Sequence, residues 1–423
     1  MAGIVSRGLL PSLVALAPGL ACRGGASGDG EGTATEGTGA ATDIGDETQG
    51  EPDPAQCEAI AVPTLDEPGA RVIERIAEPD QIPGLADQPT THGRILGTLF
   101  AFDGRLHLGY GDYSDNTGPI TMSAWDPGMG GFVDLGVLPT EEVLWFRPGP
   151  GTLYSPAIDP DGHQEEGGIY RLDCGAAGWH VGTPIEGAVH VYDVARQGGL
   201  IYAGTGSLDG QPARLMSSPD HGESWTEVLR HESPAGRFSR FYFVGATEDR
   251  LLVSGREHPD PDLALAWVRE AGGGFVPIAD PPTGLLVPIV LGDAMVVVAF
   301  SSNPGRGSAL GSYRIEGDAL VEAEPWPTVG GEAAQLVAWA PQGADPAHAE
   351  RLLVLMRAVD GSHHVLRTDD LELGAAGFVE LAVLEPLADG DEPVSMALLL
   401  GDLYLGTRRG ALDVLRELEA PAG

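Results

Sequence analysis

From residue 93 onward the apolar positions do not recur at the 3.6-residue spacing of an amphipathic helix. They come instead as a short apolar run, a tight turn, a second run ending in Gly or Ser, a longer polar loop and two further strand-like runs. The first runs begin near Ile95, Glu141, Ala188, Phe238, Gly284, Ala333 and Pro393, so neighbours are 46, 47, 50, 46, 49 and 60 residues apart. The longest interval contains the polar insert Pro341 to Glu350. Second runs align as Arg105–Gly109, Thr152–Ser155, Leu200–Gly204, Arg250–Ser254, Ala294–Ala299, Arg351–Leu355 and Asp402–Gly406. Four strands per repeat of this length is the pattern of a propeller blade. The last repeat ends one strand short, and the run Ala70–Ile76 ahead of the first could complete it and cover its edge. The expected fold is all-β: a seven-bladed β-propeller closed by this N-terminal strand, or a six-bladed ring if one repeat is misread.

The third repeat carries Ser218-Pro-Asp220-His-Gly222-Glu-Ser-Trp225, which reads S-x-D-x-G-x-x-W. Ser and Asp can bond the loop's own N–H groups, Gly can take positive φ, and Trp can bury a large ring as the next strand begins. This stretch resembles the Asp-box, or BNR repeat, of sialidase-like β-propellers. The resemblance implies a structural role for Ser218, Asp220, Gly222 and Trp225, away from any ligand. Other repeats keep degenerate forms that end in Phe132, Trp179, Phe275 and Phe378, which are expected to fill gaps between blades.

Charge and termini add a location. All 24 basic residues besides histidine are arginine, against 62 acids, for a net charge of −38. Such a surface repels phosphate backbones, which excludes nucleic acid as a partner and favours a soluble monomer. Residues 1–21 have the short basic start and apolar run of a signal peptide. Gly19-Leu-Ala-Cys22 resembles a bacterial lipobox, so Cys22 is expected to carry a lipid, the membrane contact being through that lipid alone. Residues 22–56 are too polar and Gly-rich to order themselves and read as a tether, leaving 57–423 as the propeller. The chain is thus expected at the cell envelope; a secreted or periplasmic soluble form is the alternative. Export would let Cys57 and Cys174 pair, although spacing cannot fix connectivity.

Strands that run up and down place the second-to-third-strand loops and the blade links on one face, opposite the Ser218–Trp225 turn. Candidate ligand residues on that face are Tyr110, Asp112 and Tyr113; His190, Tyr192 and Asp193; and Arg256, Arg306, Arg408 and Arg409. Converging arginines suit a carboxylate or sulfate. Asp159, Asp161 and Glu165 make a partial calcium loop that lacks a third acid before its glycine, and no other cofactor is indicated. In sialidases three arginines hold the substrate carboxylate beside a Tyr–Glu pair and an Asp, but this chain lacks the Phe-Arg-Ile-Pro motif; its nearest string is Trp145-Phe146-Arg147-Pro148. There is no H-E-x-x-H, paired C-x-x-C, G-x-S-x-G or P-loop, and without lysine no lysine Schiff base. The expectation is a non-catalytic module binding glycan, peptide or protein, with a sialidase-like hydrolase or lyase as the alternative.

Overall fold

The computed structural model describes residues 71–417, apart from 160–165, 207–211, 261–262, 271, 302–308, 330–331, 343–348, 350 and 388–389. Tight turns set the strand boundaries. Asp103 and Gly104 both take positive φ, at 52° and 69°, and join Thr98–Phe102 to Arg105–Gly109 in a two-residue hairpin. Second strands lie mid-sheet with both faces covered, which is why they read as nearly continuous apolar runs: Ala294–Phe300 is buried at every position but its first. Outermost strands such as Thr226–His231 are mostly exposed and correspondingly polar.

The strands form five separate four-stranded sheets, one eight-stranded sheet and a two-stranded ribbon at Thr328–Val329 and Glu332–Ala333. This is a β-propeller arrangement. Apolar clusters sit between successive repeats: Tyr154 and Ile169 of the second against Val191 and Ile201 of the third, and Leu215 of the third against Phe241 and Val253 of the fourth. Val268 then meets Val297, Val298 meets Leu352, and Leu355 meets Leu405. A final cluster joins Tyr404 of the seventh repeat to Leu106 of the first and Leu153 of the second. The aromatics that end the third-to-fourth-strand turns, Phe132, Trp179, Trp225, Phe275 and Phe378, all pack against these clusters. Arg71–Ala77 pairs antiparallel with Leu412–Glu417, the last strand among the described residues.

Two features differ from expectation. Seven separate four-stranded sheets were expected, but the third and fourth repeats share the eight-stranded sheet through a single residue pair, Gly206 with Arg240. The contact depends on a missing side chain, because a Cβ on Gly206 would lie 2.5 Å from Tyr192 Cε2 and 2.9 Å from Arg240 Cγ. In the second repeat the first strand is only Arg147–Gly149. The run from Glu141 is spent in a buried loop, where the Glu141 carbonyl accepts from the Asp112 N–H and the Glu141 N–H donates to the Asp159 carbonyl. Among the described residues no helix is long and apolar enough to cross a membrane.

Candidate functional site

The antiparallel strands Phe238–Ala246 and Arg250–His258 set Arg240 directly across from Arg256, and Phe238 across from His258. Directly opposed residues project from the same side of a sheet, so two guanidinium groups are held side by side, a destabilising arrangement on its own. Among the described residues neither has a carboxylate as ion-pair partner, and the Nε–H of each is buried without a hydrogen-bond partner. In a chain with 62 acids this is anomalous. Elsewhere arginines find carboxylates: Arg408 bonds Glu392 at 2.9 Å and Arg237 bonds Glu257 at 2.6 Å.

Rings surround the pair. The Arg240 guanidinium lies 4.8 Å from the Phe238 ring centre and 5.8 Å from that of Tyr192. Tyr192 and Tyr242 meet edge to face at 4.7 Å. Burial pushes both phenols above the ordinary tyrosine range, so both are neutral hydrogen-bond donors. Burial opposes the charge on Arg240 as well, yet Tyr192 and Tyr242, the latter hydrogen-bonded to the Arg240 side chain, outweigh it and its pKa is raised. Tyr242 Oη is 2.7 Å from His258 Nε2, and the His258 ring stacks on Phe238 at 4.7 Å. Burial, with Arg240 and Arg256 nearby, lowers His258 to about 4, so the ring is uncharged at neutral pH.

His190 and Asp159 complete the edge. His190 Nδ1 is 2.5 Å from the Ile158 carbonyl, which can only accept, so Nδ1 carries the proton. Its pKa is lowered to about 4, by burial first and by Arg240 second. Asp159 Oδ1 lies 3.4 Å from that nitrogen. Burial raises the Asp159 carboxyl to about 6, although Arg240 pulls the other way. Tyr113, half-buried, also acts electrostatically on Arg240 and Tyr242, and its backbone N–H donates to Glu142 Oε2.

Some candidates from the sequence are structural instead. Tyr110 is buried and donates to the Thr121 carbonyl at 2.7 Å. Asp112, also buried, accepts from Thr90 Oγ1 at 2.8 Å and from the Ser114 N–H, which fixes its own loop. Asp193 is fully buried, and simple alternation along a strand would set it on the other side from His190 and Tyr192. A register shift between Val191 and Asp193 breaks that alternation. Its carboxylate takes two bonds from Arg147, at 2.7 and 3.1 Å, and one from the Val244 N–H. One side chain thereby ties the first strands of the second, third and fourth repeats.

Arg408 pairs with Glu392, and the Arg409 N–H donates to Asp391, apart from the cluster. Arg306, Asp161, Glu165, Cys22 and Cys57 lie outside the described residues. No group of three metal-ligating side chains occurs among the described residues. Cys174 is disulfide-bonded, its partner outside the described residues; its sulfur, 3.6 Å from Asp103 Oδ1, therefore has no proton to donate there.

On the opposite face, Ser218 Oγ accepts from the Gly222 N–H at 2.8 Å, and Asp220 Oδ1 accepts from the Ser224 N–H at 2.9 Å. Gly222 has φ +93°, and Trp225 Nε1 donates to the Thr183 carbonyl of the preceding repeat. The turn lies at the other end of Leu200–Gly206 from the Gly206–Arg240 pair, Ser218 pairing with Ile201.

Arg240 and Tyr242 escaped the sequence reading, whereas His258 lies in the string Arg256-Glu-His258-Pro-Asp260 that the strand order places on the loop-bearing face. Arg240 sits mid-run in Phe238-Ser-Arg-Phe-Tyr-Phe243, and a charge inside an otherwise apolar first strand was the available signal. Taken together, the cluster offers two cationic donors, two neutral phenols and one carboxylate, the equipment for holding an anionic, hydroxyl-bearing ligand.

No family model matches the chain, and no curated protein does. Among solved structures, it is similar to a protein from Lactobacillus plantarum, with 16% identity and a TM-score of 0.46 over 71% of this chain and 88% of that one. It is also similar to a virginiamycin B lyase from Staphylococcus aureus, with 15% identity and a TM-score of 0.48 over 82% of this chain and 99% of that one. At such identities the likeness is one of fold and carries no chemistry across.

Proposed function

We propose that this chain is an exported, lipid-anchored β-propeller that works at the bacterial cell envelope as a non-catalytic module binding an anionic ligand on its loop-bearing face. The observation that carries the reading is the Arg240–Arg256 pair: two opposed guanidinium groups, buried Nε–H groups unpartnered, in a strongly acidic protein. An anionic ligand at the guanidinium groups would relieve their mutual repulsion. The signal-like residues 1–21, the lipobox at Cys22 and the polar tether 22–56 support the location. We count seven blades, because a single residue pair joins the third and fourth repeats. The Ser218–Trp225 turn acts as an Asp-box strut, and Cys57 is the proposed partner of Cys174.

Calorimetric titration with acidic and matched neutral glycans tests the binding. Acidic ligands should bind, and Arg240→Gln or Arg256→Gln should weaken them about tenfold or more. Neutral ligands binding equally well, or variants indistinguishable from wild type, would sink the reading.

One observation favours a hydrolase of the sialidase kind. The Asp159 carboxyl, raised to about 6 beside Tyr192 and Arg240, is tuned for proton transfer near neutral pH. Turnover of a fluorogenic sialoside, abolished in Asp159→Asn, would establish catalysis and replace the binding-module reading.

A further inference from the structure

The sixth repeat carries a chain of hydrogen bonds that ends on a serine. Its second and third strands, Arg351–Arg357 and His363–Thr368, are joined by a turn through Asp360, Gly361 and Ser362, with Gly361 at φ +89°. Ser362 and His364 are two residues apart and so project from the same side of the extended chain. On the next strand, Phe378–Leu384, Glu380 lies across from Leu366, two residues beyond His364 on that same side. Ser362 Oγ is 2.8 Å from His364 Nε2, and His364 Nδ1 is 2.8 Å from Glu380 Oε2. His364 is buried and Glu380 half exposed. A carboxylate can only accept, so Nδ1 carries the proton and, in the neutral ring, Nε2 presents its lone pair to the hydroxyl. Asp360 Oδ1 accepts from the Ser362 N–H at 2.9 Å and lies 2.6 Å from Ser362 Oγ. The Ser362 hydroxyl first and its N–H second hold the Asp360 carboxyl below the usual carboxylate range. The one hydroxyl proton therefore lies between a weak base, the carboxylate, and a stronger one, the imidazole.

We propose that this turn is a site of ester hydrolysis, with Ser362 as nucleophile, His364 as its general base and Glu380 as the positioning residue that orients the ring. Nucleophile, base and orienting carboxylate stand within hydrogen-bond reach on the ring nitrogens that acyl transfer requires. In the first step Oγ bonds to the acyl carbon, the hydroxyl proton passes to His364 Nε2, and the ester oxygen leaves with that proton as an alcohol or phenol. In the second, water attacks the acyl carbon and gives a proton to Nε2; the bond to Oγ breaks, the proton returns to Ser362, and the carboxylic acid departs. Both steps are redox-neutral and consume only ester and water. The turn itself narrows the substrate. Its Ser362 N–H is spent on Asp360 and its Gly361 N–H on the Ala358 carbonyl, so neither is free to hold an oxyanion. Esters whose leaving group departs readily, aryl esters above all, suit such a site better than alkyl esters or amides. This activity goes beyond ligand binding at Arg240 and uses none of that cluster's residues.

The experiment exposes the full chain to p-nitrophenyl acetate and, separately, to a fluorophosphonate that stops at the first adduct, which peptide mass spectrometry then locates. The chain has no lysine, so no amine side chain competes for the reagent. A fluorophosphonate adduct on Ser362 and release of more than one equivalent of nitrophenol are expected, and the adduct map requires no variant. Ser362→Ala should abolish both, and His364→Gln should slow the release about a hundredfold or more. Glu380→Gln should slow it about tenfold or more and move the rising limb of the pH–rate profile to lower pH, because the imidazole loses the anion that favours its protonated form. Glu380→Asp should recover part of the rate. An adduct on any side chain but Ser362, no adduct at all, release that halts at one equivalent, or release undiminished in Ser362→Ala would overturn the assignment. A pH–rate limb left in place by Glu380→Gln would remove the positioning role of that carboxylate.

Discussion

His107 lies in the middle of the second strand of the first repeat, boxed by Phe102, Phe146 and Trp179 with ring centres 6.0 to 6.3 Å away. It is 1% exposed, with the Phe102 backbone as the one polar contact that favours its charged form. A charged imidazole there would lose its hydration for little in exchange. Burial accordingly lowers its pKa to about 4, with Arg105 adding to the effect and the Phe102 backbone opposing it. The unfolded chain takes up this proton near pH 6.5, while the folded chain resists until about pH 4. Across that window the unfolded state binds more protons, so stability falls as pH falls, by about 3 kcal/mol at the acid end from this group alone. His107→Leu should remove that part of the slope. Urea midpoints at pH 7 and pH 4 for both proteins provide the comparison, in which contributions from the other histidines cancel. Parallel pH dependences would show that the buried ring is not the source.

At the scale of strands, Asp193 is the joint that holds three innermost strands together. Truncation to Ala leaves the Arg147 guanidinium half-buried without its anion and the Val244 N–H without its acceptor. The expected loss is about 3 to 5 kcal/mol, read as a lower denaturation midpoint; a change under about 1 kcal/mol, the range of exposed pairs, would refute the joint. The same strands mark what the sequence discloses. Second strands such as Ala294–Phe300 were readable because a mid-sheet position demands apolar residues on both faces, and turns such as Asp103-Gly104 because positive φ restricts residue type. Arg147–Gly149 was not, since three residues carry no periodicity. Nor was the side that each site residue faces. The shifts at Val191/Asp193 and Phe241/Phe243 reset the alternation just where these side chains gather. His190, Tyr192 and Arg256 were legible as polar groups at strand ends. Their convergence with Arg240, Tyr242 and His258 depends on how two repeats meet at Gly206, which no local pattern encodes.

For the whole molecule the decisive seam is where the first and last described strands meet. Arg71–Ala77 supplies the outer neighbour of Leu412–Glu417, covering an edge that would otherwise offer a row of unpaired backbone groups. Among the described residues two ion pairs cross that seam, and they differ in burial. Arg75 reaches Asp413, whose side chain is 2% exposed, at 2.5 Å, whereas Arg416 reaches Glu74 at 2.8 Å with both side chains about half exposed. Solvent screens the outer pair, which should contribute about 0 to 1 kcal/mol. The inner pair holds a carboxylate that cannot regain water once its partner is gone, so Arg75→Ala should cost about 3 kcal/mol or more. Because the seam ties residues more than three hundred positions apart, weakening it should loosen the ring cooperatively and not merely fray one terminus. Thermal unfolding of Arg75→Ala and Glu74→Ala side by side separates the cases: a clear drop in midpoint for the first with little change for the second is expected. If both fall together, or neither moves, the N-terminal strand is an ornament on the seventh repeat and not what closes the ring.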